Sequence, residues 1–572
     1  YLFSEAGGVI SLTISDGTGA VWISGADGNW SDNGNWAGGA PDAVGASALF
    51  LNAAASPVTV TLDAPATVGS LLFSNAAAPY TLAGSQALTL DAADQPAVLL
   101  AQAGQHTVSA PLTLAGPAFA RPSTAATLTL AGDLTGAGPL VVTGGGTVAL
   151  TGTNQAQTVV LDGTLALSSG LSLAGGARLD NGALASSQNI AIDSAFEIGP
   201  RDAFLQPAAA TTLTLASTAS GEGTLCLAGA GTLALAASLG NAGGARVSAG
   251  TLDFTNDVFG ATALQLGGGT ARYVGADALA LGTPLAISAT STLRAEQAPL
   301  TLSGALSYSA AATLGLEGSN GLTLAGSANI PDAGRKLNFR EGTLRFAAGA
   351  SYLLSSGARD TLQIGRDENK PTEVVIESGA YLKTGGIHVN ATSASATNCA
   401  SLIRQEGGSV EVTYSDGLFI RDYGTSDATY LMNGGTFYAP PASWTSTGSK
   451  GPAHLTVNGG LMTLGRLAMG VTENATYSYG GPGTHVAVNG GRLLVAGECT
   501  WMSDTYAGRY NTVTLGNGTP GQGELDLVAT TRSVPYANGG GRTAFSFNGG
   551  LLKATGLALY GDRKSTRLNS SH

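Results

Sequence analysis

The sequence predicts an all-β fold: a right-handed parallel β-helix (β-solenoid) with an N-terminal Trp-rich capping segment. Three observations lead there. Apolar residues alternate with polar ones in short runs, with almost no helical periodicity; Gly-rich units recur along the chain; and three of the five tryptophans gather ahead of the repeats. Alternation with a period of two marks a half-buried strand. Recurrence at a short step marks stacked coils.

The strands are read first. "PVTVTLDAP" puts Val58, Val60 and Leu62 on one face, "ATLTLAGDL" does the same with Leu128 and Leu130, and "TTLTLAS" with Leu213 and Leu215. Too many such runs follow one another for a single sandwich, and no linkers appear at the ~100-residue spacing that a string of sandwiches requires.

The repeats come next. Gly-Thr-apolar-x-apolar occurs at Gly146, Gly163, Gly223, Gly231 and Gly250, at intervals of 17, 8 and 19 among the closely spaced copies, and again at Gly342 and Gly435. Later the unit becomes alternating apolar residues followed by Asn-Gly-Gly, with the asparagine at 433, 458, 489 and 548. The steps are 25, 31 and 59, the last about two single steps. Gly and Asn-Gly let the backbone turn through positive φ between strands. Roughly 20 to 25 residues per coil, stacked ~4.8 Å apart, predict on the order of 25 coils.

Composition agrees. Gly is 84 of 572 residues and charged residues are 11%, against roughly 7% and 25% in average proteins. With 44% apolar residues the chain can still bury a core. The net charge of −12, with no Lys before Lys336, excludes the basic stripe that a nucleic-acid partner needs. Cys226, Cys399 and Cys499 are too far apart for cysteine-pair zinc or disulfide frameworks. Cys399 and Cys499 would sit on the order of 20 Å apart in stacked coils, so unpaired cysteines are expected.

Four native sections and an appendage are read. Residues 1–21 match "LLFSNAAAPYTLA" weakly and read as the remnant of an upstream module. Residues 22–110 hold the Trp-rich cap and first coils, 111–330 an Ala/Leu/Thr-rich solenoid, and 331–561 a solenoid with Asn-Gly-Gly repeats and longer loops such as "YAPPASWTSTGSKGPA". Residues 562–572, "DRKSTRLNSSH", appear without mismatch when a string resembling a common sequencing-library adapter is translated. On that reading they are not native, and the chain is a fragment.

Trp22, Trp30 and Trp36 stand in "VWISGADGNWSDNGNWAGGAPDAVGASALF". Their expected role is structural, closing a solenoid end that would otherwise expose strand edges and apolar surface; the alternative is an aromatic platform for sugar rings. This segment, with the coils at 142–167 and 227–254, resembles the autotransporter-associated β-strand repeat family of Gram-negative-type bacteria. The resemblance covers most of the chain. It implies a passenger at the cell surface, on the outer membrane or secreted, exported through a C-terminal β-barrel that does not follow here. The expected role of such a rod is adhesion or surface display, with host or environmental glycans or matrix proteins as partners.

Parallel β-helices can also be polysaccharide lyases or glycoside hydrolases, so a carbohydrate-active enzyme is the alternative. That chemistry needs carboxylates converging from neighbouring coils. Asp162, Asp180 and Asp202 have suitable spacings of 18 and 22, but "LDGT" and "LDNGA" read as turns. Gly-x-Ser-x-Gly, a phosphate loop and the Gly-Gly-x-Gly-x-Asp calcium repeat are all missing. His106, His388, His454 and His485 are scattered, and the charge pairs in "GRDENK" and "IRDYG" read as solvated surface. No catalytic residue, metal ligand or cofactor is assigned, and the expectation is a non-enzyme.

Overall fold

The computed structural model describes residues 2–6, 9–13, 19–168, 173–259, 262–330, 334–354, 361–365, 370–389, 400–420, 426–447, 452–469, 483–502, 510–528, 531–534, 542–555 and 557–558. Among these, the only helical element is a three-residue 3-10 turn, Asn33–Asn35; all other regular structure is strand. The all-β solenoid expected from the sequence is present. The chain forms two compact units, 1–253 with 258–262, and 254–257 with 263–572. The composition shift at 331 lies inside the second.

In the first unit each coil carries up to three short strands. One coil runs Ala97–Ala103, Gln105–Val108 and Leu112–Leu114; the next runs Ala118–Pro122, Thr127–Leu130 and Leu134–Gly136. They pair parallel and in register, with Val98 on Phe119, Thr107 on Thr129 and Leu112 on Leu134. Past the first coil, partners are separated by 17 residues at Thr147 and Thr164 and by up to 29 at Ser74 and Ala103. The second-strand ladder has eleven rungs in this unit, from Gly28–Asn29 to Ala245–Val247. The third face narrows to single bridges at Asn154 and Leu173 before strands resume at Ile190–Ile192.

Alternation sets which residues face inward. Val58, Val60, Leu62, Leu128, Leu130, Leu213 and Leu215 are all buried, as the pattern predicts. Each such side chain contributes roughly 1.5–3 kcal/mol by leaving water. The Gly-Thr units mark coil corners. Thr147 and Thr164 are successive rungs of one ladder, which explains the interval of 17. The interval of 8 separates two corners of one coil, since Leu225–Leu227 and Thr232–Leu235 lie on different faces.

The second unit repeats the plan with larger coils. Its first ladder has twelve rungs, from Leu264–Leu266 to Leu551–Ala554. The other two strands of each coil join one continuous sheet, and Thr313–Leu324 is long enough to pair with both Ser291–Ala295 and Leu300–Leu302. Rung spacing grows from 21 at Leu264 and Leu285 to 32 at Arg492 and Glu524. Most of the growth is at one corner, although eight residues also separate Ser351–Leu353 from Leu362–Ile364, the first and second strands of one coil. The stretches 366–369, 390–399, 421–425, 448–451, 470–482, 503–509 and 535–541 all fall between the second and third strands of a coil, and lie outside the described residues. The strands flanking them keep register, Val389 with Ile420 and Thr372 with Ser401. "YAPPASWTSTGSKGPA", which reads as a loop, contains a ladder strand, Trp444–Thr447. Its inward residues are Thr445 and Thr447, so no apolar alternation announced it.

Candidate functional site

The Trp segment forms the first described coil. Strand Ala20–Trp22 pairs parallel with Ser47–Phe50 on one side and antiparallel with Trp36–Ala37 on the other. That reversal makes Trp36–Ala37 the outermost strand of its sheet. Trp22, Trp30 and Trp36 are only 0%, 2% and 4% exposed. Trp36 meets Trp22 and Trp30 edge-on at 5.1 and 4.9 Å, and all three rings pack on Phe50. The stack continues through Phe73 to His106, 5.0 Å at each step. Rings buried to this degree offer no open face for a sugar.

The polar residues of the segment are turn chemistry. Asp32 caps the 3-10 turn by accepting from the Gly34 amide, Asn33 accepts from the Ala40 amide, and Asp63 accepts from both the amide and hydroxyl of Ser31. Trp30 Nε1 donates to the Pro41 carbonyl at 3.0 Å, and Trp36 Nε1 to the Trp30 carbonyl at 2.8 Å. A buried indole N–H usually finds such a partner; the Trp22 Nε1–H, buried beside them, has none among the described residues.

Asp162 and Asp180 are brought together, but onto a cation. Arg201 donates from Nη1 to Asp162 at 2.8 Å and from Nε to Asp180 at 3.0 Å. The Asn181 side-chain amide, through Nδ2, also donates to Asp162 at 2.5 Å. That amide first, and Arg201 second, hold the Asp162 carboxyl below the usual carboxylate range. Asp162 and Asn181 both take positive φ, 56° and 57°, confirming the turns read from the sequence. Asp202 turns elsewhere, to Arg246 at 2.5 Å. A general acid must keep its proton near neutral pH; Asp162 is pushed the other way.

Burial against Phe73 and Tyr80 lowers the His106 pKa. His388 is buried beside Phe419. His454 and His485 occupy successive rungs, their rings stacked at 4.9 Å with planes 6° apart. This pairing was missed in the sequence, although both histidines stand four residues before an Asn-Gly-Gly asparagine. Cys226 and Cys499 are buried free thiols, and desolvation pushes Cys226 up to about 11; Cys399 lies outside the described residues. So do the charges of "GRDENK" except Lys370, which pairs with Glu341 at 2.5 Å, and those of "IRDYG".

The Asn-Gly-Gly corners stack into a side-chain ladder. Asn489 donates to Asn458, Asn458 to Asn433, and Asn433 to Glu406, each at 2.9 Å. Hydrogen bonding by Asn433, then by Arg404, lowers the Glu406 pKa. The long step from 489 to 548 holds one skipped rung: the Gly516 amide bonds the Val488 carbonyl as the Asn548 amide bonds that of Leu515.

Among the described residues there is no group of three or more His, Cys, Asp or Glu able to hold a metal, and no helix long and apolar enough to cross a membrane. No protein-family model, curated protein or solved structure matches the chain.

Proposed function

We propose that this chain is a structural passenger: a non-enzymatic β-solenoid carried at a bacterial cell surface, on the outer membrane or secreted, that displays repetitive faces for adhesion. The observation that carries the reading is where its charge goes. Asp162 and Asp180 share Arg201, and the later coils tie Arg404 to Glu373, Lys383 to Glu411 and Arg492 to Glu524, rung to rung. Exposed ion pairs of this kind are worth only ~0–1 kcal/mol each. Their effect is to align successive coils.

Two further features support the reading. The Trp22–Trp30–Trp36 cluster and the reversed strand Trp36–Ala37 are suited to closing a strand edge that would otherwise pair with another chain. The Trp segment and coils also resemble the autotransporter-associated repeats, whose passengers leave the cell through a barrel. The partners are glycans or matrix proteins, met on the outward faces of the coils. The test is binding of the purified chain to immobilised mucin, fibronectin and collagen, alongside incubation with pectin and host glycans. Saturable binding without sugar release is expected. Absence of binding to every surface argues against adhesion, and release of reducing or unsaturated sugars overturns the non-enzyme reading.

A further inference from the structure

We propose that His454 and His485 form a two-imidazole site for a borderline divalent cation of the copper, nickel and zinc series. The pair is built by the ladder itself. Register places the two histidines on adjacent parallel strands, Ala453–Val457 and Thr484–Val488, and in-register positions stand ~4.8 Å apart. The ring centroids are 4.9 Å apart and the planes nearly parallel. The strands alternate inward Leu455, Val457, Val486 and Val488 with both histidines on the opposite, outward face.

The surroundings suit a ligand pair. His485 Nδ1 is hydrogen-bonded to the Thr512 hydroxyl on the next rung. When Nδ1–H is the donor, Nε2 keeps its lone pair for a metal, and a bond at the other ring nitrogen is how ligating histidines are usually held. Burial and the neighbouring His485 favour neutral His454, while Asp427 contributes nearby negative charge.

Metal–imidazole bonds of ~2.0–2.1 Å need the two nitrogens about 2.9 Å apart at a square-planar Cu2+ and about 3.3 Å apart at a tetrahedral Zn2+. The stacked rings must therefore tilt toward each other, a side-chain motion that leaves the ladder in place. Two neutral imidazoles favour Cu2+ over Ni2+ and Zn2+, and have little use for Ca2+ or Mg2+, which prefer oxygen. A bound ion would join two adjacent coils through the paired strands Ala453–Val457 and Thr484–Val488.

The experiment uses the full chain carrying H572Q, so that the terminal histidine cannot compete. CuSO4, NiSO4 and ZnSO4 are titrated separately at pH 7.5 against a competing chelator, and the Cu2+ form is examined by electron paramagnetic resonance. Copper is expected to bind most tightly, with superhyperfine structure from two nitrogens. H454Q and H485Q should each weaken it by at least about tenfold. Far-UV circular dichroism checks that each variant keeps its β-structure; H454N and H485N replace any that does not. Unchanged affinity in both folded variants, or a single coordinated nitrogen in the parent, overturns the proposal.

Discussion

Replacing Gly460 by alanine tests how closely the coils are stacked, and Gly349 supplies the control. Both glycines sit at coil corners with positive φ, +77° and +80°. An L-residue there costs about 1–2 kcal/mol, partly offset by ~0.4–1 kcal/mol from the restricted unfolded chain. At Gly349 an added Cβ meets nothing within 4 Å, so G349A should cost only about 1 kcal/mol in net terms. At Gly460 the same Cβ would lie 2.3 Å from the Gly435 carbonyl oxygen and 2.8 Å from Met432 Cε. That oxygen accepts the Leu461 amide at 3.1 Å. Opening the contact breaks a rung bond and strands its groups, adding ~2–3 kcal/mol. Repeat arrays need not unfold in two states, so the assay is native-state hydrogen exchange at the amides around 459–464. G460A should speed exchange there by about 30- to 140-fold more than G349A does in its own coil, at ~1.4 kcal/mol per tenfold. Equal effects at the two sites would refute the claim that backbone crowding, and not φ alone, requires glycine at 460.

Three further outcomes are expected. W36A removes the ring that meets both Trp22 and Trp30 and should cost about 3–5 kcal/mol locally, seen as loss of near-ultraviolet circular dichroism and faster exchange at 47–50. N458A removes two links of the asparagine ladder and should cost roughly 1–2 kcal/mol, read as a lower urea midpoint; N458D should be worse, since a carboxylate then faces the Asn433 carbonyl oxygen. His106 and His454 both have folded pKa values lowered, by desolvation first. Their stabilising contribution is therefore full above the unfolded value near 6.5 and is lost as pH falls through it toward the folded values. Thermal midpoints measured from pH 8 down to 5 should drop, less steeply in H454Q, and an unchanged slope would remove His454 from the account.

Much of this architecture was legible because period-two alternation and corner glycines are local signals. Val58, Val60 and Leu62 declare an inward face without reference to any other coil. The near-doubled step between Asn489 and Asn548 announced a skipped rung, although only the structure identified Gly516 as its occupant. Trp444–Thr447 was illegible for the same physical reason: its inward residues are threonines, buried by their neighbours and not by their own hydrophobicity. The carboxylates were half legible. Their turn contexts argued against catalysis, but the cation joining Asp162 to Asp180 comes from Arg201, 39 and 21 residues away.

The sequence alone determined the class of fold, the inward faces and the corners, since each follows from side-chain polarity and backbone freedom within a few residues. Only the tertiary structure decided which side chains stand on adjacent rungs. Coil length varies from 17 to 32 residues, so a neighbour in space lies at no constant distance in sequence. His454 and His485, 31 positions apart, become stacked partners because backbone hydrogen bonding, which ignores insertions at the corner, sets the register.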